Sequence, residues 1–158
     1  MIRAVFVCSA LLVFAGLARA QDDKGFVSYR HNLMEGIGHD VGAIGDILKN
    51  GLPQQKNIAT HARSVADHSR LIAAAFEKKA LGAPNDAKED IWTDWAGFEK
   101  AVASFQAEAD AFALTAQGGD MAKIGAGMQS LGKACGSCHE TFRKPKEESY
   151  KRHSPGHH

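Results

Sequence analysis

Residues 121–142 read MAKIGAGMQSLGKACGSCHETF, and this stretch carries both a helical repeat and a cluster of reactive side chains. Apolar or sulfur-containing residues recur in it at alternating steps of three and four, the period of one helix face. The members of this face are Met121, Ile124, Met128, Leu131, Cys135, Cys138 and Phe142. Asp120 follows two glycines directly before this run and is predicted to cap the helix. The pattern therefore predicts a helix that turns both cysteines toward the interior of the protein.

Near the end of this helix, Cys135-Gly136-Ser137-Cys138-His139 has the C-x-x-C-H spacing of a c-type haem attachment site. In such a site the two thiols bond covalently to the haem vinyl groups, and the histidine offers an axial nitrogen to the iron. Because Cys138 and His139 follow Cys135 by three and four residues, all three share one side of a helix. We therefore expect one haem c, attached through Cys135 and Cys138, within the protein and near one end of it.

Three other interpretations of these residues are weaker. A redox dithiol of the thioredoxin kind sits in a strand-to-helix context, and no strand pattern precedes the motif. A structural zinc site needs about four ligands, and the chain has no second cysteine pair. A disulfide or a buried pair of thiols would leave the adjacent histidine without a role.

The N-terminus resembles an export signal. Met1-Ile2-Arg3 is a short basic start, residues 4–17 are an apolar run, and Ala18-Arg19-Ala20 has small residues where a signal peptidase cleaves. The run is shorter than the roughly 20 residues that span a bilayer, although a retained membrane anchor is the alternative. Cleavage after residue 20 would remove Cys8, leaving only the two motif cysteines. Export combined with a c-type haem site predicts a periplasmic protein.

The predicted mature chain, residues 21–158, is close to neutral. Loss of Arg3 and Arg19 leaves 17 basic and 18 acidic side chains. No basic stripe interleaved with aromatic residues is present, which argues against a nucleic-acid partner. No further apolar segment follows the signal, so we expect no membrane association after cleavage. A chain of this length can bury enough surface for one domain.

Three further segments, residues 26–49, 57–81 and 87–117, also have helical periodicity and are separated by glycine- or proline-containing breaks. Their apolar faces comprise Phe26, Leu33, Met34, Ile37, Val41, Ile44 and Leu48; Ile58, Ala62, Val65, Ile72, Ala73 and Phe76; and Ile91, Trp95, Phe98, Val102, Phe105, Ala109 and Phe112. Four helices with short connections predict an all-α, antiparallel up-down-up-down bundle over residues 21–143. Residues 144–158, which are charged and contain histidines, are predicted to be a flexible tail.

The first helix contains four interior glycines, which weaken a helix intrinsically. They are Gly36, Gly38, Gly42 and Gly45. Such glycines either let the backbone approach a flat or bulky group or reflect loose packing against a neighbouring helix. The sequence leaves both explanations open.

With C-x-x-C-H on its last helix, the chain resembles the class II cytochromes c, the cytochrome c′ family. The resemblance extends over the predicted mature chain and includes Tyr29-Arg30-His31-Asn32-Leu33-Met34 and Ile91-Trp92-Thr93-Asp94-Trp95-Ala96-Gly97-Phe98. It implies a four-helix bundle in which His139 is the proximal iron ligand. It further implies that Arg30 lies beside a haem propionate, as suits a charge-assisted pair. Arg143 matches a basic residue on the proximal side.

The resemblance also implies that Met34 faces the distal side of the iron, and the family has two branches there. In one branch a methionine of the first helix ligates the iron, which stays low-spin and carries electrons. In the other the iron is five-coordinate and binds nitric oxide or carbon monoxide. We expect the first branch, with Met34 and His139 as axial ligands; the alternative is a methionine that only packs against the core.

The expected function is therefore single-electron transport by a monohaem cytochrome that is not itself an enzyme. Its partners would be other redox proteins met transiently, or a small gas ligand if the iron is five-coordinate. The resemblance leaves a monomer and a homodimer open. Among the other histidines, His39 is a weaker distal candidate, and His61 and His68 are expected at the surface or at the edge of the helix packing. The histidines of the tail, His153, His157 and His158, would bind metal ions only loosely.

Overall fold

A computed structural model describes residues 6–81 and 85–150, with side chains from residue 23 onward. Its helices are α1 (Phe6–Asn50), α2 (Asn57–Ser69), α3 (Ile72–Glu77), α4 (Asp90–Thr93), α5 (Trp95–Gln117) and α6 (Met121–Phe142), followed by a 3₁₀ turn at Lys146–Glu148. Over these residues there is no strand, only an isolated bridge between Ala87 and Arg143. The predicted all-α class is confirmed.

The helices form an antiparallel four-helix bundle in which α3 continues the path of α2 and α4 precedes α5. Helix α2 packs between α1 and α5, and α6 packs on α5. The predicted faces of the second and third segments enter the core as expected, with Ala73 and Trp95 only partly buried. In α6, Ile124, Leu131 and Phe142 are buried and the other four members of the predicted face pack against the core.

Helix α1 is longer than the predicted first helix, because it begins at Phe6 and continues without interruption through position 20. Residues 1–5 of the predicted signal lie outside the described part of the chain, and the cleavage stays a prediction. Phe26, placed in the core by the sequence pattern, is 36 % exposed, whereas its neighbour Val27 is buried. The helix ends at Asn50, and the next residue, Gly51, has a φ of 60°, the left-handed conformation that glycine adopts easily. Within the described residues no helix is both long and apolar enough to cross a membrane.

The second predicted helix is interrupted, contrary to the single helix expected over residues 57–81. At Arg70 and Leu71 the backbone N–H groups bond to the carbonyls of Asp67 and His68, three residues back rather than four. After Glu77 the backbone becomes extended at Lys78. The apolar period survives this break because the tighter turn returns Ile72 and Phe76 to the core side.

The third predicted helix is likewise divided, at Asp94, where the backbone leaves the helical region (φ −124°, ψ 61°). The Asp94 carboxylate accepts a hydrogen bond of 3.0 Å from the Gly97 backbone N–H and so caps α5. Helix α6 has the predicted bounds. Its predicted cap is confirmed, because Asp120 accepts hydrogen bonds of 3.1 Å from the backbone N–H groups of Ala122 and Lys123.

The flexible tail predicted from Lys144 onward is wrong for residues 144–150. Ser149 is only 5 % exposed, and its hydroxyl donates a hydrogen bond of 2.9 Å to Asp86. The Tyr150 hydroxyl lies 2.7 Å from His31 on α1. This segment is charged but ordered, because its polar groups find partners on other parts of the bundle. Residues 151–158 lie outside the described part of the chain.

Candidate haem site

A cavity of about 540 Å³ lies at the end of the bundle where α6 terminates. This volume is within the range of roughly 300–1,000 Å³ typical of cofactor sites. Most of its wall is apolar and comes from five helices, α1, α3, α4, α5 and α6, and from the residues before α4. The apolar members are Val27, Ile37, Val41, Ile72, Phe76, Ala87, Ile91, Phe98, Val102, Phe105 and Phe142. All five residues predicted for the cofactor site, Cys135, Cys138, His139, Arg30 and Met34, also line this one cavity.

Helix α6 presents its two cysteines to the cavity because they continue its buried face. Both are partly buried and pack against the core. Burial raises the pKa of the Cys135 and Cys138 thiols, and at Cys138 the neighbouring Cys135 adds to the effect. A redox dithiol needs the opposite, a thiol whose pKa is lowered. Thiols facing an apolar cavity fit covalent attachment to a flat, largely apolar cofactor.

His139 lies in the last turn of α6 and lines the same cavity. The residue is exposed overall, although the protein around it partly desolvates the ring. Desolvation, with a smaller contribution from the positive charge of Arg143, lowers the pKa of His139. A neutral imidazole has a free nitrogen lone pair, which is the form that binds a metal. The donor set and the apolar cavity together fit an iron porphyrin.

Met34 is central on the face of α1 that borders the cavity, a face that also includes Val27, Arg30, Ile37 and Val41. Its side chain is partly buried and packs against the core. Gly38, one turn later, lines the cavity too, and a Cβ there would meet nothing within 4 Å. Open space beside the backbone is what close approach to a flat group requires.

Gly36, Gly42 and Gly45, the other three interior glycines singled out in the sequence, do not line the cavity. At Gly36 a Cβ would lie 3.6 Å from the His68 ring, and at Gly42 and Gly45 it would meet nothing within 4 Å. Only Gly38 therefore fits the first explanation offered by the sequence, and the open space at Gly42 and Gly45 fits the second.

Arg30 is 4 % exposed, which excludes an ordinary surface arginine. Its guanidinium donates hydrogen bonds to the carbonyls of Lys78 (3.3 Å) and Ala80 (2.6 Å). The same group lies 5.2 Å from the ring centroid of Phe76 and 5.3 Å from that of Trp92. Burial lowers the pKa of Arg30, and the charge of Asp23 partly opposes this.

These contacts give Arg30 a structural role that the sequence did not predict. The two bonds satisfy carbonyls of the extended segment after α3. An arginine has five N–H donors, so the remaining ones are available for the propionate contact that the resemblance implies.

Within residues 23–150, the histidines other than His139 divide into two groups. His31 and His39 line the cavity, and His31 contacts Glu35 at 3.0 Å in addition to Tyr150. His39 is exposed. His61 and His68 instead lie between α1 and α2, where Asp40 is 2.7 Å from His61 and 3.9 Å from His68. The second pair is thus partly buried rather than at the open surface.

Sequence reasoning missed four polar residues of the cavity wall, Glu35, Asn85, Asp86 and Tyr150. Asp86 accepts hydrogen bonds from Arg143, Ser149 and the Tyr150 backbone. Nothing in the local sequence marks Asp86, because its partners are more than fifty residues away. Tyr150 had one signal, a lone aromatic residue in an otherwise charged tail.

The fold and the cavity define a four-helix bundle that holds a c-type haem at one end. The sequence model of the family described as Cytochrome C′ matches residues 26–143. A cytochrome c′ of Rhodospirillum rubrum is 35 % identical over 135 residues, which cover 85 % of this chain and 92 % of that one. The chain belongs to the cytochrome c′ family, and it is a haem c protein carrying its cofactor on Cys135 and Cys138.

Other proteins with a comparable sequence identity to this chain have different names. A cytochrome c-556 of Rhodopseudomonas palustris is 31 % identical, covering 90 % of this chain and 97 % of that one. Among solved structures, the nitric oxide complex of a variant cytochrome c′ from Alcaligenes xylosoxidans has a TM-score of 0.70 and 26 % identity, covering 78 % of this chain and 97 % of that one. Monohaem proteins of this family therefore include one solved with nitric oxide bound.

Proposed function

We propose that this protein is a single-electron carrier whose haem iron is held between His139 and Met34. The observation that supports the ligand pair is that both side chains, one on α6 and one on α1, line the cavity that contains the two attachment cysteines. When bound, the haem supplies the one-electron couple. Ligation by the Met34 thioether in addition to the His139 imidazole would raise its reduction potential.

Met34 is the better distal ligand among the residues of α1 that border the cavity. His31 is already engaged by Tyr150 and Glu35, and His39 lies five residues beyond Met34, about 140° further round the helix. Met34 is partly buried, and a thioether needs no deprotonation to donate a lone pair. The chain's contribution to electron transfer is then to fix both ligands on rigid helices, so that little rearrangement accompanies a change of charge.

Binding of nitric oxide at a five-coordinate iron is the second candidate. It is favoured by the solved structure of the Alcaligenes xylosoxidans relative, which contains nitric oxide. In this case Met34 would pack beside the distal position without bonding to the iron. The apolar wall of the cavity, which includes Val41 and Phe105, suits a small uncharged gas.

Carbon monoxide separates the two candidates. For electron transport, the reduced holoprotein has a sharp low-spin spectrum that the gas leaves unchanged, and Met34→Leu converts it to a form that binds carbon monoxide. Met128→Leu is the matched control, because Met128 packs against the core without lining the cavity. A broad high-spin spectrum that changes with the gas before any substitution would refute Met34 ligation and support the second candidate.

The setting proposed for this activity is the periplasm, after removal of residues 1–20. Redox proteins are the expected partners, and their encounters with the cavity end of the bundle would be small and transient. We infer that the protein transfers electrons without catalysing a reaction of its own, either as a monomer or as a homodimer. N-terminal sequencing of the exported protein tests the first point: a start at Gln21 is expected, and a start at Met1 would contradict it.

A further inference from the structure

We propose that residues 144–150 form a strap that closes one side of the haem cavity. Within the strap, the Tyr150 side chain forms part of the cavity wall. This inference goes beyond the proposed function, because it holds for either state of the iron. The strap lies beyond residue 143, where the match to the cytochrome c′ family ends. It therefore lies outside the part of the chain that the family model matches.

The strap is fastened at Asp86, in the segment before α4. The Asp86 carboxylate accepts three hydrogen bonds, from the Arg143 guanidinium (3.0 Å), the Ser149 hydroxyl (2.9 Å) and the Tyr150 backbone N–H (3.0 Å). The Asp86 carbonyl accepts a fourth, of 2.7 Å, from the Lys144 backbone N–H. Charge-assisted bonds to a partly buried carboxylate are stronger than neutral ones, so both ends of the strap are held to one residue.

Tyr150 carries the strap across to α1. Its hydroxyl lies 2.7 Å from His31 Nδ1, and the two rings meet edge to face with centroids 5.7 Å apart. His31 also contacts Glu35 at 3.0 Å on the next turn of α1. Asp86, Tyr150, His31 and Glu35 all line the cavity. The Tyr150 side chain therefore completes the part of the cavity wall that lies between Asp86 and helix α1.

An aromatic ring in this position has a physical consequence for the cofactor. Tyrosine combines a large apolar surface with one polar end, and here the polar end is bound to His31 while the ring borders the cavity. The strap thus excludes water from one side of the haem. The competing explanation is a brace that stabilises the bundle without affecting what reaches the cofactor.

The experiment measures haem exposure in the full-length holoprotein by the change of its Soret absorption when ethylene glycol is added. We expect Tyr150→Ala to increase this change about two-fold, because loss of the ring uncovers on the order of 150 Å². Tyr150→Phe, which keeps the ring but not the hydroxyl, should give a smaller increase. The matched control is Tyr29→Ala, since Tyr29 is 50 % exposed and outside the cavity wall, and it should give none.

Thermal unfolding of the same variants distinguishes the strap from a brace. A lowered melting temperature in Tyr150→Ala with an unchanged solvent response would overturn the proposal. If Tyr150→Ala yields no holoprotein, Asp86→Asn provides the second test: it weakens the fastening and should raise the solvent response, and no rise would overturn the proposal equally. The carbon monoxide spectrum, measured separately, reports on Met34 and not on the strap.

Discussion

The two ends of the bundle share one sequence pattern and differ in what fills them. At the packed end, defined by Ile44, Ile58, Phe112 and Ile124, every one of these side chains is at most 2 % exposed. At the haem end, defined by Met34, Cys135, Cys138 and His139, the side chains are less buried and border a cavity. The alternation of three and four residues runs through both ends of α6 without a change.

The difference shows that helical periodicity selects the inward face but does not decide whether side chains fill the interior. At the packed end, large side chains meet small ones: a Cβ on Gly127 would lie 2.8 Å from the Phe112 ring. At the haem end the wall also contains large side chains, such as Phe76, Phe98 and Phe105, yet space remains between the helices. How the facing side chains meet across the helices, rather than their spacing along one helix, makes room for the cofactor.

Removal of the attachment thiols should have the largest effect on the haem end. In Cys135→Ser/Cys138→Ser the thioether bonds cannot form, so essentially all covalently held haem should be lost. Haem staining after denaturing electrophoresis and extraction with acidified acetone measure this. Cys8→Ser is the control and should leave the haem content unchanged, because Cys8 belongs to the predicted signal. Haem that stays on the denatured double variant would contradict the site.

Truncation of two phenylalanines on α5 compares the ends directly. Phe112 is buried away from the cavity, so Phe112→Ala should lower the free energy of unfolding by about 3–5 kcal/mol without shifting the haem spectrum. Phe105, seven residues earlier, lines the cavity, and Phe105→Ala should shift the Soret band. Denaturant unfolding and absorption of the holoproteins provide both values. A Soret shift of equal size in the two variants would show that the ends are not independent.

Two glycines of α6 test the tight fit at the packed end on a smaller scale. Gly127→Ala places a methyl group against the buried Phe112 ring and should destabilise the protein by about 1–3 kcal/mol. Gly125→Ala meets nothing within 4 Å and should be neutral or stabilising by up to about 1 kcal/mol, the gain in helix propensity. Chemical denaturation measures both, and equal effects would argue against close packing there.

The smallest expected effect is an acid sensitivity of the strap. Burial acts to raise the pKa of Asp86, but hydrogen bonds from Arg143, Tyr150 and Ser149 outweigh it and hold this pKa below its ordinary value. A lowered folded-state pKa stabilises the protein above the unfolded value of about 3.9, and the contribution is lost as the pH falls through the lower value. The free energy of unfolding, measured from pH 6 to pH 2, should therefore fall more steeply in the natural protein than in Asp86→Asn. Parallel profiles would contradict the role of Asp86.

Local patterns predicted α6 and its site well, because everything they depend on lies within a few turns. The bounds of α6, the Asp120 cap and the inward position of both cysteines are all confirmed. The break at Asp94 also has a local cause, an aspartate three residues before Gly97, but the uninterrupted apolar period concealed it. The extended segment after α3 could not be predicted in this way. Its Lys78 and Ala80 carbonyls accept hydrogen bonds from Arg30, which is about fifty residues away in the chain.

The sequence by itself determined that four amphipathic helices enclose one core and that two thiols and an imidazole turn inward at the end of the last helix. These features follow from residue type and spacing along a single helix. Only the tertiary structure decided that Met34 and Arg30 border the same cavity and that residues 144–150 are ordered against Asp86 and His31. Such contacts join residues distant in the chain, and their free energy depends on the three-dimensional arrangement of partners that no local period encodes.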